Sequence, residues 1–258
     1  MASVNTNVGA MAALQSLNAT SKNLATTQSR INTGLNVAST KDDSASFTIA
    51  QTLRGDLGSL KAVGSSLSRA KSTTDVAVAG AEQISDLVNE MKAKATQASG
   101  ESDTDARAAL ALDFDALKAR IATIIDSSEF SGVNLLKTAG GEVKALQSTK
   151  PTAATLDVVN QGFDTVVTTA VGASGATATP TDFSDPANAK GMVDKLGTLS
   201  KEINTRLSAL GSASRQIDGQ STFVSKLSDT IEGGICNLVD ADLAKESAKL
   251  QSLQVKQQ

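Results

Sequence analysis

Residues 196–238 read LGTLSKEINTRLSALGSASRQIDGQSTFVSKLSDTIEGGICNL, in which Leu196, Ile203, Leu210, Ile217, Val224, Ile231 and Leu238 occupy every seventh position without a break. A repeat of seven keeps one narrow apolar seam on the same side of a helix over many turns, which is the pattern of coiled-coil packing. Leu199, Leu207, Leu227 and Ala241 add a second stripe, so the pattern runs for six heptads. A helix with so thin a seam does not stand alone in water, because tertiary packing supplies most of a helix's stability. It requires a partner helix, and the other end of the chain offers one.

Near the N-terminus Ala10, Leu17, Leu24 and Ile31 also recur at sevens, with Val4, Met11, Leu14 and Leu35 on or near the same stripe. Gly34 and the polar stretch 36–45 interrupt it. Helical spacing then resumes through Ile49, Leu53, Leu57, Leu60 and Leu67, and a third stripe follows in Ile84, Leu87, Met91, Ala95 and Ala98. Gly100-Glu101-Ser102-Asp103 closes that helix, and Ser102, Asp103 or Thr104 is placed to cap the next. The next helix follows Leu110, Phe114, Leu117, Ile121 and Ile124 and ends near Ser127 and Ser128, completing an antiparallel hairpin. Residues 138–186 differ, being dominated by Gly, Thr, Ala and Val and holding Pro151, Pro180 and Pro186, the only prolines. Their β-branched pieces, 154–159 and 165–169, read as short strands between loops.

The fold class predicted is mainly α: a long antiparallel helical coiled-coil rod formed by the N- and C-terminal segments, with a small irregular, β-containing insert. Composition agrees. Aromatic residues make up 2% of the 258 residues, with no Trp and no Tyr, which suits thin aliphatic helix packing and not a bulky globular core. A net charge of -3 offers no basic patch for phosphates, so nucleic acid is not an expected partner. The chain has no His and one Cys, so neither a disulfide framework nor the usual zinc-ligand sets are expected, and Cys236 reads as a small apolar helix residue. No run is apolar enough to span a membrane, and the start lacks a secretory signal peptide. Without His, the commonest acid–base group, and without a Gly-rich phosphate loop, no enzyme and no cofactor are predicted. The acidic pairs Asp42-Asp43, Asp103/Asp105 and Asp240/Asp242 stand where helices begin and read as caps or surface charges.

Three stretches, taken in order, resemble the bacterial flagellins. Residues 30–43, with Arg30-Ile31-Asn32-Thr33-Gly34-Leu35-Asn36 and Lys41-Asp42-Asp43, look like the family's N-terminal signature. Phe130-Ser131-Gly132-Val133-Asn134-Leu135-Leu136 is similar to the turn after its second core helix, and 239–247 to the entry of its C-terminal helix. The resemblance covers about the first 136 and last 70 residues and is strongest to alphaproteobacterial flagellins.

The resemblance implies a filament subunit that self-assembles into a tubular polymer for motility. Its divisions would be an inner terminal-helix part at 1–42 plus 239–258, a helical core at 43–137 plus 187–238, and a variable surface insert at 138–186. Subunit contacts fall on Leu17, Leu24, Ile31, Lys41, Asp42, Asp43, Leu243 and Leu250, and the core seam on Leu196, Ile203, Leu210, Ile217, Val224 and Ile231. The implied partners are other subunits, hook-associated junction and cap proteins, and a flagellar export chaperone. The implied location is the extracellular filament, reached unfolded through the flagellum's own type III export route. A hook–filament junction protein and a flagellin-like surface binding protein are the alternatives. Ser and Thr within 138–186 are candidates for O-glycosylation.

Departures from the family pattern bring further expectations. The family continues past the position of Gln258 through more apolar turns, so weakened polymerisation is expected of the chain as given. Cys236 stands where similar proteins have a small residue such as Gly. In flagellins sensed by the innate Toll-like flagellin receptor, a core helix carries Arg and Leu shortly before a Gln. The matching positions are Glu90, Lys94 and Gln97, of which only Gln97 fits, so poor recognition is expected.

Overall fold

The computed structural model describes residues 7–149, 154–174 and 180–257. The elements in order are α1 (Val8–Thr33), α2 (Ser44–Gly100), α3 (Thr104–Ser127), β1 (Val143–Leu146), β2 (Thr155–Val158), α4 (Phe163–Val171), α5 (Pro186–Val239) and α6 (Leu243–Gln257). Helix accounts for 76% of the structure, beside a two-stranded antiparallel sheet. Contacts divide the chain into a first unit of 1–60 with 226–258 and a second of 61–225.

Helix ends in the first unit are set by short polar signals. Gly34, at φ 72°, closes α1 in the left-handed conformation that glycine adopts without a Cβ clash, and its N–H returns to the Arg30 carbonyl at 2.9 Å. Asp43 caps α2, accepting from the N–H groups of Ala45 at 3.0 Å and Ser46 at 3.2 Å. Asp242 does the same for α6 through the Lys245 N–H at 3.1 Å. Val37, Ala50, Ile235 and Val239 form a small buried cluster, flanked by Leu35, Phe47, Leu53, Ile231 and Leu238.

The second unit holds the larger core. Leu67, Ile84, Met91, Ala95 and Ala98 of α2, Phe114 and Ile121 of α3, and Leu196, Ile203, Leu210 and Ile217 of α5 have no exposed surface. Side chains of this size contribute about 1.5–3 kcal/mol each on burial. Polar ties cross between the helices: Lys94 meets Asp113 at 2.7 Å, while Lys71 reaches Asp218 at 3.2 Å and Ser214 at 3.4 Å. The expected hairpin of α2 and α3 is thereby observed, capped at its turn by Asp103, whose carboxylate accepts from Asp105 N–H at 2.9 Å.

Arg107, near the start of α3, is 6% exposed. Its guanidinium donates to the carbonyls of Phe183 (3.0 Å), Glu101 (2.9 Å), Ser102 (3.1 Å) and Ser184 (2.7 Å), and to the Thr104 hydroxyl (3.3 Å). Beside it the Phe114 and Phe183 rings meet edge to face, 5.4 Å apart. Asp115 joins the same segment by accepting from Thr181 (Oγ1 2.6 Å, N 3.1 Å) and Lys118 (2.8 Å). Burial pushes the Asp115 carboxyl up, but the bonds from Lys118 and Thr181 outweigh it and hold it below the ordinary range.

The turn after α3 is built around Asn134, which is buried. Its side-chain nitrogen donates to Ile125 O at 2.6 Å, its Oδ1 accepts from Leu136 N at 2.9 Å, and its backbone N–H donates to Gly140 O at 2.8 Å. A Cβ on Gly140 would lie 1.8 Å from the Asn134 carbonyl oxygen, so no side chain fits there.

Three sequence readings change. Residues 165–169, read as a strand, lie in helix α4. Their β-branched character is overridden by the i, i+4, i+8 spacing of Phe163, Val167 and Val171, all buried, with Gly172 closing the helix. The other expected strand, 154–159, is present as β2, paired with β1 in the register Val143↔Val158 to Leu146↔Thr155; Pro151 lies outside the described residues. The heptad seam of α5 is buried through Val224, but Ile231 and Leu238 are half-buried while Ile235 and Val239 are buried. A 3.6-residue helix drifts against a repeat of seven, and over its last turns the buried side of α5 is defined by the cluster with Val37 and Ala50. The helix stops at Val239, leaving Ala241 beyond it. In α3 the buried position is Ile125, not Ile124.

Candidate subunit interface

Helices α1 and α6 pack on each other in the first unit. They run antiparallel, since the clasp of residues 34–37 on 239–241 and the Arg30–Glu246 ion pair (3.3 Å) join the end of α1 to the start of α6. At about 1.5 Å per residue, the described part of α6 is roughly 22 Å long and reaches only the C-terminal half of α1. There Leu24 and Ile31 are half-buried and Thr27 is fully buried; on α6, Leu253 is buried and Leu250 half-buried.

The apolar side chains of the N-terminal half of α1 are exposed. Val8 is 78% exposed, Met11 65%, Leu14 59% and Leu17 45%. Steps of three residues turn back by about 60° each on an α-helix, so these four side chains wrap half its circumference and do not form one face. An open groove of about 660 Å³ runs along Val8, Met11 and Leu14, lined also by Ala12, Gln15, Asn18, Ala19 and Lys22. A helix that is apolar on opposite sides belongs in an interior, with neighbours on more than one side. Leu243 (49%) and Val255 (75%) of α6 add exposed apolar surface.

The acidic positions in the linker after α1 have intrachain tasks. Asp42 accepts from the Ser39 hydroxyl (3.0 Å), Ser39 N (3.0 Å) and Ala38 N (3.2 Å), fixing the turn at 38–42, and Asp43 caps α2. The bonds from Ser39 and from Ser46 hold the two carboxyls below their ordinary range. A carboxylate with a depressed folded-state pKa adds stability above its unfolded value and loses it as pH falls through the folded one. A carbon-detected NMR titration should therefore place both midpoints below about 3.9, the free Asp value; midpoints at or above it would contradict the capping geometry. Lys41 is exposed.

Glu90 and Gln97 are exposed on α2, and Lys94 between them is held to Asp113. Cys236 is exposed on α5, and its thiol is pushed up by the hydrogen bond with Asp240 and by the nearby charges of Asp240 and Glu232. The Arg30–Glu246 pair and the backbone clasp have no signature in the sequence: Glu246 reads as a surface residue of a polar helix. Among the described residues, no helix is long and apolar enough to cross a membrane.

Residues 4–140 match the bacterial flagellin N-terminal helical region, and residues 193–258 the bacterial flagellin C-terminal helical region. Flagellin FljM of Caulobacter vibrioides is 42% identical over 99% of this chain and 91% of its own length. The flagellin of Brucella melitensis is 33% identical over 100% of the chain and 92% of its own length. The crystal structure of Bacillus cereus flagellin shares the fold with a TM-score of 0.53 at 22% identity, covering 60% of this chain and 86% of that one. The two terminal helical regions, the helical fold and these relatives lead to one conclusion: the chain belongs to the bacterial flagellin family and is a structural subunit of the flagellar filament.

Proposed function

We propose that copies of this chain pack through the α1–α6 terminal helices into a tubular filament, with the bare half of α1 as the principal contact. The observation behind this reading is that the exposed apolar side chains from Val8 to Leu17 span half the circumference of α1, more than a single packed helix covers. Head-to-tail contacts that do not close give an open helical polymer. Leu243 and Leu250 extend the contact along α6, while Leu24 and Ile31 serve the pairing of the two helices. Asp42 and Asp43 act within the chain, and the exposed Lys41 is offered to an acidic group on a neighbouring copy. The seam Leu196–Val224 keeps the core helices in register, and residues 138–186 form the outer surface.

The same reading has the subunit exported unfolded by the flagellar type III route into the extracellular filament, its C-terminal helix guarded by an export chaperone, and its ends of the polymer met by junction and cap proteins. No cofactor, nucleic acid or membrane enters the account. With Glu90 and Lys94 where receptor-sensed flagellins have other residues, a reporter-cell assay should give a weak innate-receptor response; a strong one would contradict this.

The test is burial on assembly. In a Cys236→Ala background, Leu14→Cys should react readily with a thiol reagent as free subunit and become shielded on polymerisation. Equal reactivity in both states would refute the packing. Failure to elongate, with short capped assemblies instead, would favour a junction protein.

A further inference from the structure

The second unit carries an apolar groove beside the start of α5 and an exposed aromatic ring far along the same helix. On α3, Thr104, Ala108, Ala111 and Asp115 follow at fours and threes and share one face. Opposite them runs the segment 180–184, tied to α3 by Arg107 and Asp115. The groove between measures about 350 Å³, is mainly apolar, and has Leu112 at its edge, 72% exposed. Its charge is acidic: Asp115 and Asp182 line it, with no Lys or Arg among the described residues that do so. Asp115 is taken up by Lys118 and Thr181. Asp182 is exposed, and bonds from Ser184 hold its carboxyl below the ordinary range, so it faces the groove ionised.

Phe223 is the counterpart. The chain has six Phe and no Trp or Tyr. Phe114, Phe163 and Phe183 are buried, whereas Phe223 is 57% exposed, the most of the six. Gly219, one turn before it on the same face of α5, has open space where a Cβ would stand, so the ring stands clear of its neighbours. Lys226, one turn after it, is exposed. An aromatic side chain of this kind is the usual anchor of a protein contact, because it buries a large area at low conformational cost. Its own groove is out of reach: from Pro186 to Phe223 the helix is continuous for roughly 55 Å.

We propose that Phe223 of one copy seats in the groove of the next, with its Lys226 facing Asp182 there. The ring meets an apolar lining and the cation meets the ionised rim, and two unlike surfaces at opposite ends of one unit join head to tail, as an open polymer requires. This contact goes beyond the one on α1 and holds or fails whichever way α1 packs.

Two single-cysteine chains test it, both in a Cys236→Ala background: Gly219→Cys, on the face of Phe223, and Leu112→Cys, at the edge of the groove. Mixed and treated with a short bis-maleimide over a concentration series, they should give a mixed covalent dimer in about tenfold excess over either homodimer. A chain carrying both cysteines should give a ladder of multimers. Phe223→Ala in the Gly219→Cys chain should cut the mixed dimer about tenfold, the usual loss on truncating an aromatic anchor, with circular dichroism unchanged because the ring is exposed. The proposal is overturned if no mixed dimer forms, if homodimers match it, or if Phe223→Ala leaves it undiminished. Reactivity of Leu14→Cys that assembly does not change would count against the α1 contact alone.

Discussion

Met11→Asp together with Leu14→Asp should leave the free subunit folded and abolish filament formation. At 65% and 59% exposure neither side chain contributes much to the intrachain fold, so circular dichroism and thermal melting should match the parent chain. In the packing argued above both positions become buried between copies. An aspartate desolvated there without a partner costs about 2 kcal/mol or more. Two such sites, at about 4 kcal/mol together, raise the concentration needed for assembly on the order of a thousandfold, since 1.4 kcal/mol is tenfold. The check is sedimentation with negative-stain microscopy over a concentration series; filaments at the parental concentration would count against α1 as the contact. Ser29→Asp, also exposed on α1 but flanking the α6-covered half, makes a matched control with a much smaller effect.

Arg107→Ala should be the most damaging single truncation in the second unit. One guanidinium satisfies four backbone carbonyls and a hydroxyl, binding the start of α3 to residues 183 and 184 just before α5. Removing it strands acceptors in a buried setting and loosens Phe183 from Phe114. The cost is about 3 kcal/mol. For a unit of this size that corresponds to a fall in melting temperature of roughly 6–12 °C. Arg107→Lys should not rescue it, because an ammonium lacks the planar fork that reaches several carbonyls at once. Calorimetry showing a shift below about 2 °C for the alanine variant would contradict the role of Arg107 in tying the start of α3 to residues 183 and 184.

Much of this architecture was legible in the sequence because it rests on periodicity. Heptads and three–four spacings depend only on which residues are apolar, and α1, α2, α3 and α5 follow them closely. Capping was legible for the same local reason: Asp43, Asp103 and Asp242 each bond an N–H two or three residues on. Residues 165–169 were misread because β-branched composition was weighed above spacing, although Phe163, Val167 and Val171 already marked one helical face.

What was not legible depends on partners distant in sequence. Arg107 and Lys118 are buried by neighbours that an i, i+4 pattern does not reveal, so both read as solvated charges on an amphipathic helix. The Arg30–Glu246 pair spans 216 positions, and the 34–37 clasp on 239–241 is made by backbone atoms that carry no sequence signal. The candidate interface stands between these cases. Its apolar residues were visible in the sequence, but only the structure separates Leu24 and Ile31, half-buried against α6, from the exposed Met11, Leu14 and Leu17.

The most direct measurement is a helical reconstruction of the assembled filament at side-chain resolution. The account predicts Val8, Met11, Leu14 and Leu17 buried against helices of at least two neighbouring copies; a filament in which that half of α1 faces solvent, with subunits joined elsewhere, would contradict it.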